Sequence, residues 1–486
     1  MFGEILSYIY SGTLHVSMDK VQSLYQAADL LQLDYVRDTC SSYMAMNVDR
    51  STCVDLYKFA DVFSVVIVSK ACQQWVHRYF VEFSSSDEFC GLSVTQLNEI
   101  ISHDELDVKE ETTVWEAVVR WVQHSREDRL HHLPSILPHI RFNLLTSDNT
   151  AAILDHPLVR EDPGSSQVNV VQKGNLNLKP RLGMTTEMVL LQNTSVRGDA
   201  FLFMNPQEGT YISCGYNTAT LVTTMAVTSN NDIYMVDFDD SEPLELSMLK
   251  YNHAKNVWED AGMPSMSVLD RSGPEEDLRV YKGNLVEVDQ ILFYIAAESA
   301  GGSTMWMKKY NQHTNQWQEC SQLQVDRPEY YSTALSCGSH IYFLTRTEVH
   351  RYDPSQDRWS KRDPPLILRD VCTAVAMGTE IFCTDYEFTR TMVYDTESDR
   401  WQILQGWPNP GTLELDNVTR LFVLENQLHV LLTCSNKMYL VYVYDRSADA
   451  WRDLKATLPN TSYYAQGSHC PVARIYLPYL KGHKNT

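Results

Sequence analysis

Three sets of residues in this chain have side chains that could do chemistry. The first is His131 and His132, with His139 close behind, since imidazoles in a short run could hold a metal ion. They fall between helical stretches, with no thiolate or carboxylate at ligand spacing, and are read as surface or boundary histidines. The second is eleven cysteines, at Cys40, Cys53, Cys72, Cys90, Cys214, Cys320, Cys337, Cys372, Cys383, Cys434 and Cys470. An odd, unpatterned set without a Cys-x-x-Cys pair reads as reduced thiols of an intracellular protein. The third is recognition chemistry: Arg271, Arg327, Tyr330, Tyr331, Arg346, Arg369, Tyr386, Phe388, Tyr463 and Tyr464 lie in turn-rich stretches, and Arg and Tyr are enriched at binding hot spots. A Gly-rich phosphate loop, a Gly-x-Ser-x-Gly elbow and a His-Glu-x-x-His helix are all missing from the sequence. The expectation is therefore a non-catalytic chain with no cofactor and no bound metal, whose work is binding.

The recognition residues hang on a repeat. Tyr251-Asn252 to Trp258, Tyr310-Asn311 to Trp317, Tyr352-Asp353 to Trp359, Tyr394-Asp395 to Trp401 and Tyr444-Asp445 to Trp451 share one spacing, and their tyrosines lie 59, 42, 42 and 50 residues apart. Each unit reads as a hairpin: an aromatic closes one strand, Asn or Asp makes the turn and Trp opens the next. Such a period points to a β-propeller, with the aromatic pairs packed between its sheets. Met204-Asn205 to Tyr211 supplies a sixth copy with both aromatic positions altered. The tail Pro471–Tyr476 has no unit after it and is expected to return and complete the first blade, which removes free sheet edges.

Residues 1 to about 150 carry a different period. Val21, Leu24, Tyr25, Ala28 and Leu31 recur at helical spacing, as do Cys53, Leu56, Tyr57, Ala60 and Phe63. A third set, Val114, Ala117, Val118, Trp121 and Val122, follows Thr113 with Glu116 three places on, the spacing of a capping box. A polar, turn-rich connector between about Asp155 and Lys179 ends the helical part. The formal charge of −22 opposes binding to nucleic acid or to an anionic membrane, both of which need basic surface.

The stretches Tyr8-Ile-Tyr-Ser-Gly-Thr-Leu14 and Ala27-Ala-Asp-Leu-Leu-Gln-Leu33 resemble the final helices of a BTB domain. Phe59-Ala-Asp61, Asp87-Glu-Phe89, Asp104-Glu-Leu-Asp-Val108, Val118-Val-Arg-Trp-Val122, His132-Leu-Pro134 and Arg141 resemble the BACK domain. The Tyr-to-Trp units are similar to kelch repeats. Pro180-Arg-Leu-Gly-Met184 with Glu187-Met188 resembles the propeller entry of the kelch repeat and BTB domain-containing branch. The implied chain is multidomain: an all-α N-terminal region followed by an all-β six-bladed kelch propeller. Residues 1–46 would be the C-terminal part of a BTB domain, 47–155 the BACK domain, 156–180 a linker and 181–480 the propeller.

The resemblance also implies a function. Family members are substrate-recognition adaptors of cullin-3 RING ubiquitin ligases, with BTB and BACK helices holding cullin-3 and the propeller holding the protein to be modified. The cullin-facing positions carried over are Leu33, Asp34, Tyr35, Val54, Tyr57, Lys58 and Phe63. Members form homodimers through elements upstream of the Tyr-Ser-Gly segment, so a chain that opens inside that domain at Met1 is not expected to dimerise in that way. The implied location is the cytoplasm, with the nucleus also open to it. The competing expectation is a cytoskeletal, actin-binding kelch scaffold without a ligase role.

Overall fold

The computed structural model describes residues 2–161, 178–193, 200–216, 221–239, 245–267, 283–297, 304–325, 332–345, 348–363, 371–385, 388, 390–406, 415, 419–434, 439–456, 458, 463–464 and 469–481. They divide into two compact units, residues 1–185 and 186–486. The first is helical. Helices α1 (Phe2–Ser11), α2 (Val21–Leu30), α3 (Asp34–Met46), α4 (Cys53–Phe63), α5 (Val66–Arg78), α6 (Phe80–Ser84), α7 (Val94–Ser102) and α8 (Glu111–His124) are followed by shorter turns of helix. Their period-3.6 faces meet in one core: Val21, Leu24 and Ala28 of α2 join Leu56 and Ala60 of α4 and Val118 and Trp121 of α8. Two expectations move. Leu31 lies beyond the end of α2 and is exposed, because Gln32 takes a left-handed conformation that turns the chain toward α3. The capping box forms not at Thr113 but at Ser93 and Gln96, at the start of α7, because α8 begins earlier, at Glu111.

Glu111 opens that helix because it is bound to a cation. Arg181, on the far side of the connector, is fully buried and uses all five of its N–H donors. Nε and Nη2 donate to the two Glu111 carboxylate oxygens, both at 2.7 Å, while the remaining donors reach the carbonyls of Ile101, His103 and His139. Beside it Arg141 donates to Asp104 at 2.6 Å and to the Lys179 carbonyl, and its own N–H donates to Glu111. Leu182 and Gly183 then donate their N–H groups to the carbonyls of Asp104 and Leu106. Gly183 must be glycine, since a Cβ there would lie 2.4 Å from an Asp107 oxygen and 2.5 Å from the Val108 nitrogen. The Arg-Leu-Gly motif is thus the strap that ties residues 178–185 to the helical unit.

The second unit is a six-bladed propeller of antiparallel sheets. In blades two to six the strands run outward in chain order; blade four, for example, is Thr333–Cys337, His340–Leu344, Val349–Asp353 and Arg358–Arg362. Blade one differs. Its innermost strand is Val472–Ile475 from the C-terminal end, paired with Thr186–Asn193 through Thr186↔Ile475 and Val189↔Val472, so the expected closure is present. The repeated aromatics are direct cross-strand partners: Tyr251↔Trp258, Tyr310↔Trp317, Tyr352↔Trp359, Tyr394↔Trp401 and Tyr444↔Trp451. The sixth copy holds the same register, Met204↔Tyr211.

The spacing has a local cause. Five residues after each tyrosine stands Asn256, Asn315, Asp357, Asp399 or Asp449, all at φ between 44° and 56°, a region Asn and Asp tolerate better than other side chains. Each accepts the hydroxyl of its tyrosine, as Tyr352 to Asp357 at 2.7 Å. In the first blade Met204 has no hydroxyl to give, and Gly209 takes the left-handed place at φ 67°. The tryptophans point back to the preceding blade: Trp317, Trp359, Trp401 and Trp451 donate Nε1–H to the carbonyls of Pro264, Ser321, Asp363 and Gln405.

Two substitutions test this account. Glu111→Gln leaves the Arg181 charge buried without a counterion and should destabilise the helical unit by about 3–5 kcal/mol, read from its unfolding in urea. Asn256 accepts from both Tyr216 and Tyr251 at 2.6 Å. Asn256→Ala, which orphans both hydroxyls and strains the backbone, should cost the propeller roughly 3–5 kcal/mol. Asn256→Gly should recover about 1 kcal/mol of that, the backbone part alone.

Candidate recognition surfaces

The seven cullin-facing positions fall on two helical hairpins. In the α2–α3 turn Leu33 is half-buried, while Asp34 and Tyr35 open α3 and are exposed. Tyr35 is 65 % exposed and stacks on Tyr8, ring centres 5.8 Å apart. Asp34 pairs with Arg37 at 2.8 Å. On α4, Lys58 is exposed, but Val54 and Tyr57 are buried. The Tyr57 hydroxyl donates to Glu99 at 2.6 Å, and burial together with that carboxylate raises its pKa. Phe63 is half-buried against Phe59 and Tyr25. The exposed members are therefore Asp34, Tyr35 and Lys58, with Val54 and Tyr57 in core roles.

The sequence reading missed the apolar residues that flank both turns. Leu30, Leu31, Val62, Val66 and Ile67 are all exposed. Their one signal was apolar character out of step with the buried period, as in the doublet Leu30-Leu31 or the run Val65–Val68.

Of the propeller candidates, Arg271, Arg327, Tyr330, Tyr331, Arg346, Arg369 and Tyr386 lie outside the described residues, as does the side chain of Tyr464. Two others sit inside the disc, where their aromatic bulk is used for packing. Phe388 is fully buried, with its ring centre 5.1 Å from that of Trp451. Tyr463 is buried against the first blade, its hydroxyl bonded to Ser213 at 2.6 Å. The inner strands line a cavity of about 220 Å³ whose walls mix the small residues Ala226, Ala334 and Ala374 with the polar Glu287, Ser336 and His469.

The histidines singled out in the sequence do not form a ligand set. His131 and His132 have ring centres 3.9 Å apart, and His139 stands by Arg181, where burial and that charge lower its pKa. Among the described residues the metal-capable cluster is a different one, His77, His103 and Glu105. All eleven cysteines are buried, and none is joined in a disulfide among the described residues. No described helix is long and apolar enough to cross a membrane.

Comparison with known proteins finds two family matches within the helical unit. A BTB/POZ domain profile matches residues 1–48, and that of BACK, "BTB And C-terminal Kelch", matches residues 53–154. Over 97 % of its length the chain is 26 % identical to Kelch repeat and BTB domain-containing protein 2 of Homo sapiens, covering 81 % of that protein. It is 22 % identical to Kelch repeat and BTB domain-containing protein 8 of Homo sapiens, over 97 % of this chain and 82 % of that one. Kelch-like protein 3 of Danio rerio is 35 % identical across 33 % of this chain and 27 % of its own length.

A pH effect follows from the buried histidine. Desolvation, then the neighbouring His103 ring, then the Arg181 charge push His77 down to about 4, so it is neutral when folded and accepts a proton more readily when unfolded. The associated stability is intact above about pH 6.5 and drops by about 1.4 kcal/mol per pH unit between 6.5 and 4. In the metal-free protein, helix circular dichroism during urea unfolding should show that slope, and His77→Leu should flatten it.

Proposed function

Because the chain belongs to the BTB–BACK–kelch family, we propose that it is a substrate-recognition adaptor of a cullin-3 RING ubiquitin ligase. Proteins of this family are adaptors rather than enzymes. In this reading the helical unit holds cullin-3 and the propeller holds a second protein. The adaptor performs no bond chemistry: it raises the effective concentration of a substrate lysine at the ligase's charged partner enzyme. The observation that carries the reading is the α2–α3 turn, where Tyr35 stands exposed beside Leu30 and Leu31. Exposed apolar residues grouped on a rigid turn mark a protein-binding surface, and a tyrosine among them is the side chain that most often anchors one.

On the propeller, the proposed substrate contacts are Arg271, Arg327, Tyr330, Tyr331, Arg346, Arg369, Tyr386 and Tyr464, which the sequence sets in turn-rich stretches. Phe388 and Tyr463 leave that set because their side chains are buried. The proposed location is the cytoplasm, with access to the nucleus.

The test is a pull-down with the cullin-3 N-terminal domain, using this chain and a form joined to the upstream half of a BTB domain. The extended form should bind, and Tyr35→Ala combined with Leu30→Ala should weaken binding about tenfold or more without moving the melting temperature. If neither form binds, the ligase reading fails. Co-sedimentation with actin filaments then decides for the scaffold reading.

A further inference from the structure

His77 lies one residue from the C-terminal end of α5 and is 5 % exposed. Its backbone is well tied, since the carbonyl accepts the N–H of Asp107 at 2.8 Å. Its ring is not: Nδ1 is shut off from solvent and, among the described residues, has no hydrogen-bond partner. Native interiors seldom leave a buried imidazole nitrogen idle. Over this ring lies that of His103, nearly parallel at 24°, with centres 4.3 Å apart. Glu105 follows two residues later, and one donor atom from each of the three lies within 4.8 Å of the other two.

We propose that His77, His103 and Glu105 form a divalent transition-metal site in the helical unit, with Zn²⁺ as its best-fitting ion. Two imidazoles and one carboxylate are a zinc donor set, and three protein ligands leave a fourth position for water or a partner's side chain. Ligands at about 2.0–2.2 Å from a common ion lie within roughly 4.4 Å of one another, and the three donors here already fall within 4.8 Å. The remaining approach falls to His103 and Glu105, which are exposed and free to change rotamer, while His77 stays fixed in the core. His103 Nδ1 is held by a single long bond, 3.3 Å from the Glu105 N–H.

The surrounding charge permits a cation. Arg181 and Arg141 both donate to the His103 carbonyl, but Glu111 and Asp104 pair with them. Glu105 and Asp107 on the same loop then leave an excess of negative charge. The site is independent of the ligase reading. It joins α5 to the loop that grips residues 181–183, so an occupied site would brace the strap.

The experiment starts from the whole chain stripped of metal by chelator. Zn²⁺ is titrated by calorimetry, and Co²⁺ by visible absorption in parallel. We expect one ion per chain and a Co²⁺ spectrum without thiolate charge transfer, which separates this site from the eleven cysteines. Zn²⁺ should raise the melting temperature of the helical unit. His103→Ala and Glu105→Gln change exposed side chains, so the variants should fold, and each should weaken affinity about tenfold or more. Binding that is absent in the unaltered chain, unchanged in both variants, or accompanied by thiolate bands would overturn the proposal.

Discussion

A residue in the left-handed region five places after each blade tyrosine is the constraint on which the propeller rests. A turn of that handedness brings the outer strand back in register, so Tyr and Trp face each other across it. The residue able to adopt it is Asn or Asp, and the same side chain accepts the tyrosine hydroxyl. One position therefore fixes turn shape, satisfies a buried donor and aims the tryptophan at the preceding blade. With the outer hairpin specified locally, the inner strands need little more than apolar alternation.

The helical unit is organised by charge rather than by repetition. Removing an arginine from water is costly unless every donor finds a partner, and Arg181 meets that condition through one carboxylate and three carbonyls drawn from separate stretches of the helical unit. The demand is geometric as well as energetic. The ends of α7 and α8 and the turn at His139 can satisfy one guanidinium only when all are correctly placed, so the strap selects a single arrangement of the helices around it.

How much of this was legible in the sequence depended on range. The Tyr-to-Trp frame could be read because its cause is confined to eight residues, and the return of the C-terminal strand followed from counting units. The Arg181–Glu111 pair could not: seventy positions separate its partners, and no periodicity marks either one. The same distance effect displaced the capping box, because a Glu111 bound at long range began α8 ahead of the local signal at Thr113. His77 and His103 likewise meet through packing, while the adjacent His131 and His132, the more conspicuous pair on paper, hold no such arrangement. Phe388 and Tyr463 were misjudged as loop anchors because an aromatic on a short connection reads the same whether it faces water or a neighbouring blade.

The closure of the first blade has a consequence for biosynthesis. Thr186 emerges from the ribosome long before its partner Ile475 exists, so the first sheet must wait with its inner edge unpaired while the other blades are made. A strand in that condition is a template for aberrant pairing. Translation halted anywhere before residue 472 would leave that edge bare, exposing unfinished chains to chaperones and proteases. The last strand thus reports that every blade of the propeller has been made.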